Sequence, residues 1–271
     1  MRKFLFLALT LMLLLVTGCG SSDEKQIGVI RHLNITEEAL NNFYEQNGEI
    51  NPDKKQQAKF VFFNNMTTMS AALKSKQIDE LTTYESVANY LVDNDTSLEW
   101  ETSLPQLSDN FCCAMLEDNA ALRDEFNAAL QKISADGTLA QLVKTYIVEA
   151  NYVVPPRVVE MPTFYSAPTI KVAVTGDLPP LDYILADGRP AGFNTAVLAE
   201  ISKQLKKNFV LVPIEAGSRA LALMSGKVDV IFWVVVPAYN ETIPSNFDVP
   251  DGVILTAPYF TDEIVHVRNR D

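Results

Sequence analysis

Residues 222–229 read ALMSGKVD, and residues 72–79 have already read ALKSKQID. The common pattern is Ala-Leu-x-Ser-x-x-[Ile/Val]-Asp, each time after a helix-like run and before a β-like one. An aspartate at such a junction either contacts a ligand or ties the helix–strand turn by accepting backbone N–H groups. The tie is the ordinary role, and it is the one expected for Asp79 and Asp229. The recurrence implies two units built on one βαβ plan.

Working outward from 222–229, the C-terminal part alternates regularly. IKVAVTG reads as a strand and DLPPLDYILADGRPAG as a turn or hairpin. FNTAVLAEISKQLKK reads as a helix, FVLVPIE as a strand, SRALALMSGK as a helix and VDVIFWVVV as a strand. The N-terminal part does the same. IGVIRH is strand-like, TEEALNNFYEQ is a helix with Thr36 as N-cap and acidic first-turn residues, and KFVFF, MTTMSAALKSK, IDELTTY and ESVANYLVDN alternate after it. SLEWETS and NFCCAML add two short strands. Residues 119–147 then carry apolar positions at helical spacing, with Asp136-Gly137 closing the first helix. Such alternation predicts a mostly parallel sheet covered by helices. Residues 151–168 hold four prolines and no helical period, the signature of an extended linker.

With 271 residues, 48% of them hydrophobic, the chain can fill two cores. The first nineteen residues combine Arg2 and Lys3 with an apolar run from Phe4 to Val16 and end on Val16-Thr17-Gly18-Cys19. The run is short for a spanning helix and reads as an export signal, and its end resembles a bacterial lipobox with Cys19 as the lipidated residue. Acyl chains at about 0.8 kcal/mol per buried methylene would hold the protein on a membrane surface by its N-terminus. The formal net charge is −12, and loss of Arg2 and Lys3 with the leader makes it more negative. Such a surface repels phosphate backbones, so nucleic acid is not an expected partner. Cys112 and Cys113 are neighbours in a strand and point to opposite faces, one buried and one half-buried. There is no CxxC, HExxH or Gly-rich phosphate loop. His32 and His266 read as strand-end residues, so neither a metal site, a cofactor nor a catalytic triad is expected.

The run KVAVTGDLPPLDYILADGRPAGFNTAVLAEISKQL, followed by VLVPIE, ALMSGKVDVIFW and LTAPYF, resembles the first lobe of the extracellular solute-binding proteins of family 3, receptors of amino-acid ABC importers. Residues 59–92 resemble part of the second lobe of such receptors, and 114–147 their closing helices. The resemblance therefore implies an α/β, two-lobed, type II periplasmic-binding-protein fold of the Venus-flytrap kind, with the lobe order circularly permuted. Its parts are a signal peptide (1–18), a lipidated tether (19–25), a second-lobe-like α/β domain (26–115), closing helices that pack on the first lobe (116–150), the Pro-rich linker (151–168) and a first-lobe-like domain (169–271).

The same resemblance directs attention to the cleft. Where relatives place an arginine for the ligand carboxylate, this chain has VVVPAYNET, and Arg219 at the start of its helix is the nearest substitute, with a surface ion pair as its alternative role. Where relatives place an aspartate for the ammonium there is Tyr84, followed by Glu85. Leu178 and Ala216 stand where aromatic rings are expected, and Trp233 either stacks on a ligand or joins the core. The expected ligand-binding residues are Arg31, Asn64, Tyr84, Asp177, Arg219 and Trp233. The implied function is non-enzymatic capture of a small polar metabolite, an amino acid or a related compound, by a lipid-anchored extracytoplasmic monomer that hands it to an ABC permease. The alternatives are a sensory or accessory lipoprotein that uses the fold for protein contacts, and a dehydratase-like enzyme for which Asp177 or Glu215 would supply the acid.

Overall fold

A computed structural model describes residues 24–47, 58–103, 106–152, 157–238 and 247–270. The leader and Cys19 lie outside the described residues. The N-terminal half runs β1 (Lys25–Ile30), α1 (Glu37–Asn47), β2 (Ala58–Phe63), α2 (Met66–Lys74), β3 (Glu80–Tyr84), α3 (Glu85–Asn94), β4 (Leu98–Thr102) and β5 (Ser108–Leu116). Helices α4 (Ala120–Ala135) and α5 (Thr138–Val143) follow, the latter continued by a π-helical turn, Lys144–Val148. The C-terminal half runs β6 (Thr169–Val174), β7 (Asp177–Leu178), β8 (Asp182–Ile184), β9 (Pro190–Ala191), α6 (Phe193–Leu205), β10 (Asn208–Pro213), α7 (Arg219–Met224), β11 (Val230–Ala238), β12 (Val253–Leu255) and β13 (Phe260–Asn269).

Two lobes share one strand order. In one, β2-β1-β3 are parallel and β13 and then β4 complete the sheet; in the other, β10-β6-β11 are parallel and β5 and then β12 complete it. The expectation of a mostly parallel sheet is corrected by these last two strands of each lobe, which run antiparallel to their neighbours. The reason is topological: β5 belongs to the N-terminal half and β13 to the C-terminal half, and each crosses into the other lobe, entering the sheet from the opposite end. Where they cross they pair with each other, Phe260 opposite Phe111 and Asp262 opposite Asp109. The described protein is the two-lobed α/β Venus-flytrap arrangement.

The repeated aspartates do the same job in both lobes. The Asp79 carboxylate accepts from Gln26 N at 2.7 Å while Asp79 N donates to Gln26 O at 2.9 Å. Asp229 accepts from Lys171 N at 2.8 Å and its N–H donates to Lys171 O at 2.9 Å. Each carboxylate thus locks the start of the third strand to the first, and so fixes where the strand after that helix emerges.

Other expectations are refined. Thr36 Oγ1 accepts from Ala39 N at 3.1 Å, as an N-cap does. Residues 157–168 lie against the C-terminal lobe: Val159 N donates to Pro190 O at 2.9 Å, its side chain packs on Ala196 and Ala199 of α6, and Asn208 Oδ1 accepts from Phe164 N. The prolines and the absence of a helical period describe the extended shape of this segment but not its packing. Helices α4 and α5 also pack on α6, which is why α6 is buried nearly all round. It begins at Gly192 (φ +106°), where a Cβ would lie 2.4 Å from Leu181 O, so only glycine fits the turn that lets Phe193 N reach Pro180 O. Cys112 and Cys113 are both buried and both free thiols, because helices and strands cover the two faces of β5; burial pushes Cys112 up to about 11 and makes it inert. His266 lies inside β13, not at a strand end, with Nδ1 3.2 Å from Glu80.

Two predictions follow from this framework. Replacing Asp79 or Asp229 by Ala should lower the unfolding free energy by about 1–2 kcal/mol in urea titrations, the worth of a partly exposed charged hydrogen bond, and leave ligand affinity unchanged. At the crossover, burial pushes the Asp262 carboxyl up to about 6, against hydrogen bonds from Ser86 Oγ and the Glu263 and Ser86 N–H groups. The unfolded carboxyl titrates near 3.9, so between roughly pH 4 and 6 the native state holds the extra proton and stability falls as pH rises. Unfolding free energy of the wild type, taken relative to Asp262→Asn, should drop by on the order of 2–3 kcal/mol from pH 4 to pH 7. Parallel pH curves for the two proteins would remove this role from Asp262.

Candidate functional site

A cavity of about 210 Å³ lies between the lobes, at the C-terminal ends of the parallel strands, where side chains of both lobes converge and backbone groups are not consumed by the sheet. Arg31 and His32 enter it just after β1, Tyr84 from the end of β3, Thr175 just after β6, and Arg219 from the first position of α7. Trp233 enters from β11 through a register shift against β5: Phe232 pairs with Cys113 and Val234 with Cys112, leaving Trp233 as the extra residue. A bulge of this kind re-aims a side chain out of the regular alternation.

Trp233 is held on two sides. Its ring stacks on Phe111 at 4.4 Å, with Tyr84 edge-on at 5.5 Å, and its indole N–H donates to Asp182 at 2.9 Å. Asp182 is 1% exposed and also accepts from Gly176 N at 2.8 Å and from Thr175 Oγ1, so it is a positioning group with its lone pairs occupied.

Arg219 is 6% exposed, and among the described residues it forms one hydrogen bond, Nη1 to Trp233 O at 3.0 Å; its Nε has no partner. Burial lowers its pKa, opposed through space by Asp182, Asp248 and Tyr84, yet a guanidinium stays charged at neutral pH. It is a buried cation facing a cavity without a carboxylate within ion-pair distance among the described residues. A negative counterpart that lines the same cavity is Asp109 of β5. It accepts from Tyr84 Oη at 2.8 Å, and burial raises its pKa against that hydrogen bond.

Of the six residues singled out in the sequence, Arg31, Tyr84, Arg219 and Trp233 line this cavity. Asn64 and Asp177 lie instead where the lobes touch. Asn64 O accepts from Ala216 N at 3.0 Å, and its Oδ1 lies 3.3 Å from Arg31 Nε. Asp177 Oδ2 accepts from both the N–H and the hydroxyl of Thr67, each at 3.1 Å, at the N-terminus of α2. Gly217 permits the close approach, since a Cβ there would lie 2.6 Å from Arg31 Cδ. Tyr84, which stands where relatives place an aspartate, donates its phenol O–H to Asp109. Asp109 and Asp248 are the functional candidates that sequence reading missed. One lies on a strand that crosses between lobes and the other in a connection far from any motif, so no local pattern marks them. Asp79 and Asp229 do not line the cavity.

Among the described residues no group of three or more His, Cys, Asp or Glu is placed to hold a metal ion, and no helix is long and apolar enough to cross a membrane.

Residues 170–237 match the bacterial extracellular solute-binding proteins, family 3. The ABC transporter glutamine-binding protein GlnH of Bacillus subtilis (strain 168) is 30% identical over 97 residues, 36% of this chain and 35% of that protein, so the chain spans about a third of the length of the curated relative it matches. Among solved structures, the ligand-binding component of an ABC-type import system from Staphylococcus aureus, with zinc bound, superimposes with a TM-score of 0.45 at 11% identity, over 89% of this chain and 65% of that one. Tv2483 bound to L-arginine gives a TM-score of 0.44 at 14% identity, over 92% of this chain and 78% of that one. The stretch similar to the bacterial extracellular solute-binding proteins of family 3, residues 170–237, is the one that carries Arg219 and Trp233.

Proposed function

We propose that the protein is a lipid-anchored extracytoplasmic receptor that captures an amino acid, or a compound with the same paired charges, between its lobes and hands it to an ABC importer without chemical change. The observation that carries this reading is Arg219: a buried guanidinium that lines an interlobe cavity and whose Nε has no partner. An unpaired buried charge costs several kcal/mol, and a ligand carboxylate would remove that cost. Asp109, already braced by Tyr84, offers the carboxylate for an ammonium group. The glutamine-binding relative supports an amino-acid class of ligand.

The bonds of Asp177 with Thr67 and of Asn64 with Ala216 would form as the lobes close and so hold the ligand in. We read the order of elements as that of a circularly permuted receptor: second-lobe-like residues 26–115, closing helices 116–150, linker 151–168 and first-lobe-like residues 169–271. The packing of α4 and α5 on α6 supports it. Anchoring at Cys19 follows from the lipobox-like leader.

Titration of the purified protein with a panel of L-amino acids by calorimetry and thermal shift tests the reading. A ligand at about 100 times its Kd should stabilise the fold by roughly 2.7 kcal/mol. Arg219→Met should weaken binding by about 3–5 kcal/mol, a 100-fold loss or more. The unliganded variant should melt no lower than the wild type, because it no longer buries an unpaired charge. A flat panel with well-folded protein would instead favour an accessory lipoprotein that contacts other proteins. Metabolic labelling with a palmitate analogue should mark the wild type, and Cys19→Ala should lose both the label and membrane association.

A further inference from the structure

The cavity is lined by Arg219, Trp233, Tyr84 and Asp109, by further polar side chains that include His32, Thr82, Ser103 and His266, and by an apolar cluster. The cluster joins Leu40, Phe43 and Phe60 of one lobe to Phe247 of the other. Phe247 belongs to the β11–β12 connection yet packs against the opposite lobe, its ring 4.9 Å from that of Phe43. Next to it, Asp248 occupies the N–H groups that precede α1. Oδ2 accepts from Leu33 N at 2.8 Å, and Oδ1 accepts from Asn34 N at 2.8 Å and Ile35 N at 2.9 Å, with His32 Nδ1 3.5 Å from Oδ2.

These contacts decide what the apolar side can take. A carboxylate offers about four lone-pair sites, and three backbone N–H groups and an imidazole use them. Asp248 therefore has no acceptor left for a ligand amide, ammonium or guanidinium. It also fills the run of backbone donors that would otherwise receive a ligand's second carboxylate, and its charge repels one. A polar side chain set among Leu40, Phe43, Phe60 and Phe247 would lose its hydration without gaining a partner from them, whereas carbon loses nothing. Size agrees: an apolar cavity of about 150 Å³ takes up benzene, and about 210 Å³ leaves room for a charged head beside an aliphatic or aromatic group.

We infer that the ligand is an amino acid with an apolar side chain, aliphatic or aromatic, with Phe247 and Asp248 as the specificity-determining residues. This rests on the receptor reading above, with Arg219 and Asp109 holding the common amino-acid head. It narrows that reading away from the polar ligands expected from the sequence.

Calorimetric titration of the wild-type protein with L-leucine, L-phenylalanine, L-glutamine, L-glutamate and L-arginine tests it. Leucine or phenylalanine should bind at least 10-fold more tightly than any of the other three. Asp248→Ala, which frees the three N–H groups, should narrow the gap between glutamate and the apolar ligands by 10-fold or more. Phe247→Ala, an independent variant that leaves the Asp248 contacts in place, should weaken phenylalanine by 10-fold or more. Glutamine, glutamate or arginine binding as tightly as the apolar pair would overturn the inference and leave the receptor reading standing. Absence of binding by all five would overturn both.

Discussion

Each lobe finishes its sheet with a strand taken from the other half of the chain, and the rest of the molecule depends on that exchange. Strands β5 and β13 run antiparallel to the parallel cores they join and pair with each other as they cross. Neither half can fill its own sheet, so the halves fold as one unit while remaining two lobes. The exchange also places Asp109 at the cleft and sets Asp262 opposite it at the crossover, where two carboxylates leave water close together. Their raised pKa values follow from burial first, with the local donors Tyr84 and Ser86 opposing it.

The cavity is an electrostatic arrangement in which opposite charges are kept apart. Arg219 has one carbonyl partner and an unmet Nε, Asp109 has a phenol, and Asp182 and Asp248 are saturated by other donors. A folded protein rarely leaves a buried guanidinium in this condition. Such a group is costly to the protein while its charge is unmet and would be stabilised by an anion beside it.

Much of this was legible locally. The alternation of helices and strands, the Thr36 cap and the two Ala-Leu-x-Ser runs report on neighbours within a few residues, and their physical causes are short-ranged. Arg219 and Trp233 stood out through the family resemblance, Arg219 as the nearest substitute for an absent arginine and Trp233 as a ring where Leu178 and Ala216 replace expected aromatics. Asn64 and Asp177 also stood out, but what they meet is the opposite lobe, which is a matter of how the lobes close. The prolines of 151–168 announced an extended path without announcing that Val159 packs on α6.

The sequence by itself therefore determined two βαβ units, their tied strand starts at Asp79 and Asp229, and the likeness of residues 170–237 to solute-binding proteins, because each depends on residue types at close spacing. Only the tertiary structure decided that Asp109, Phe247 and Asp248 line the same cavity as Arg219. Those residues reach the cavity along a crossing strand and a long connection, and it is the meeting of distant segments that removes water and gives their charges and rings an effect.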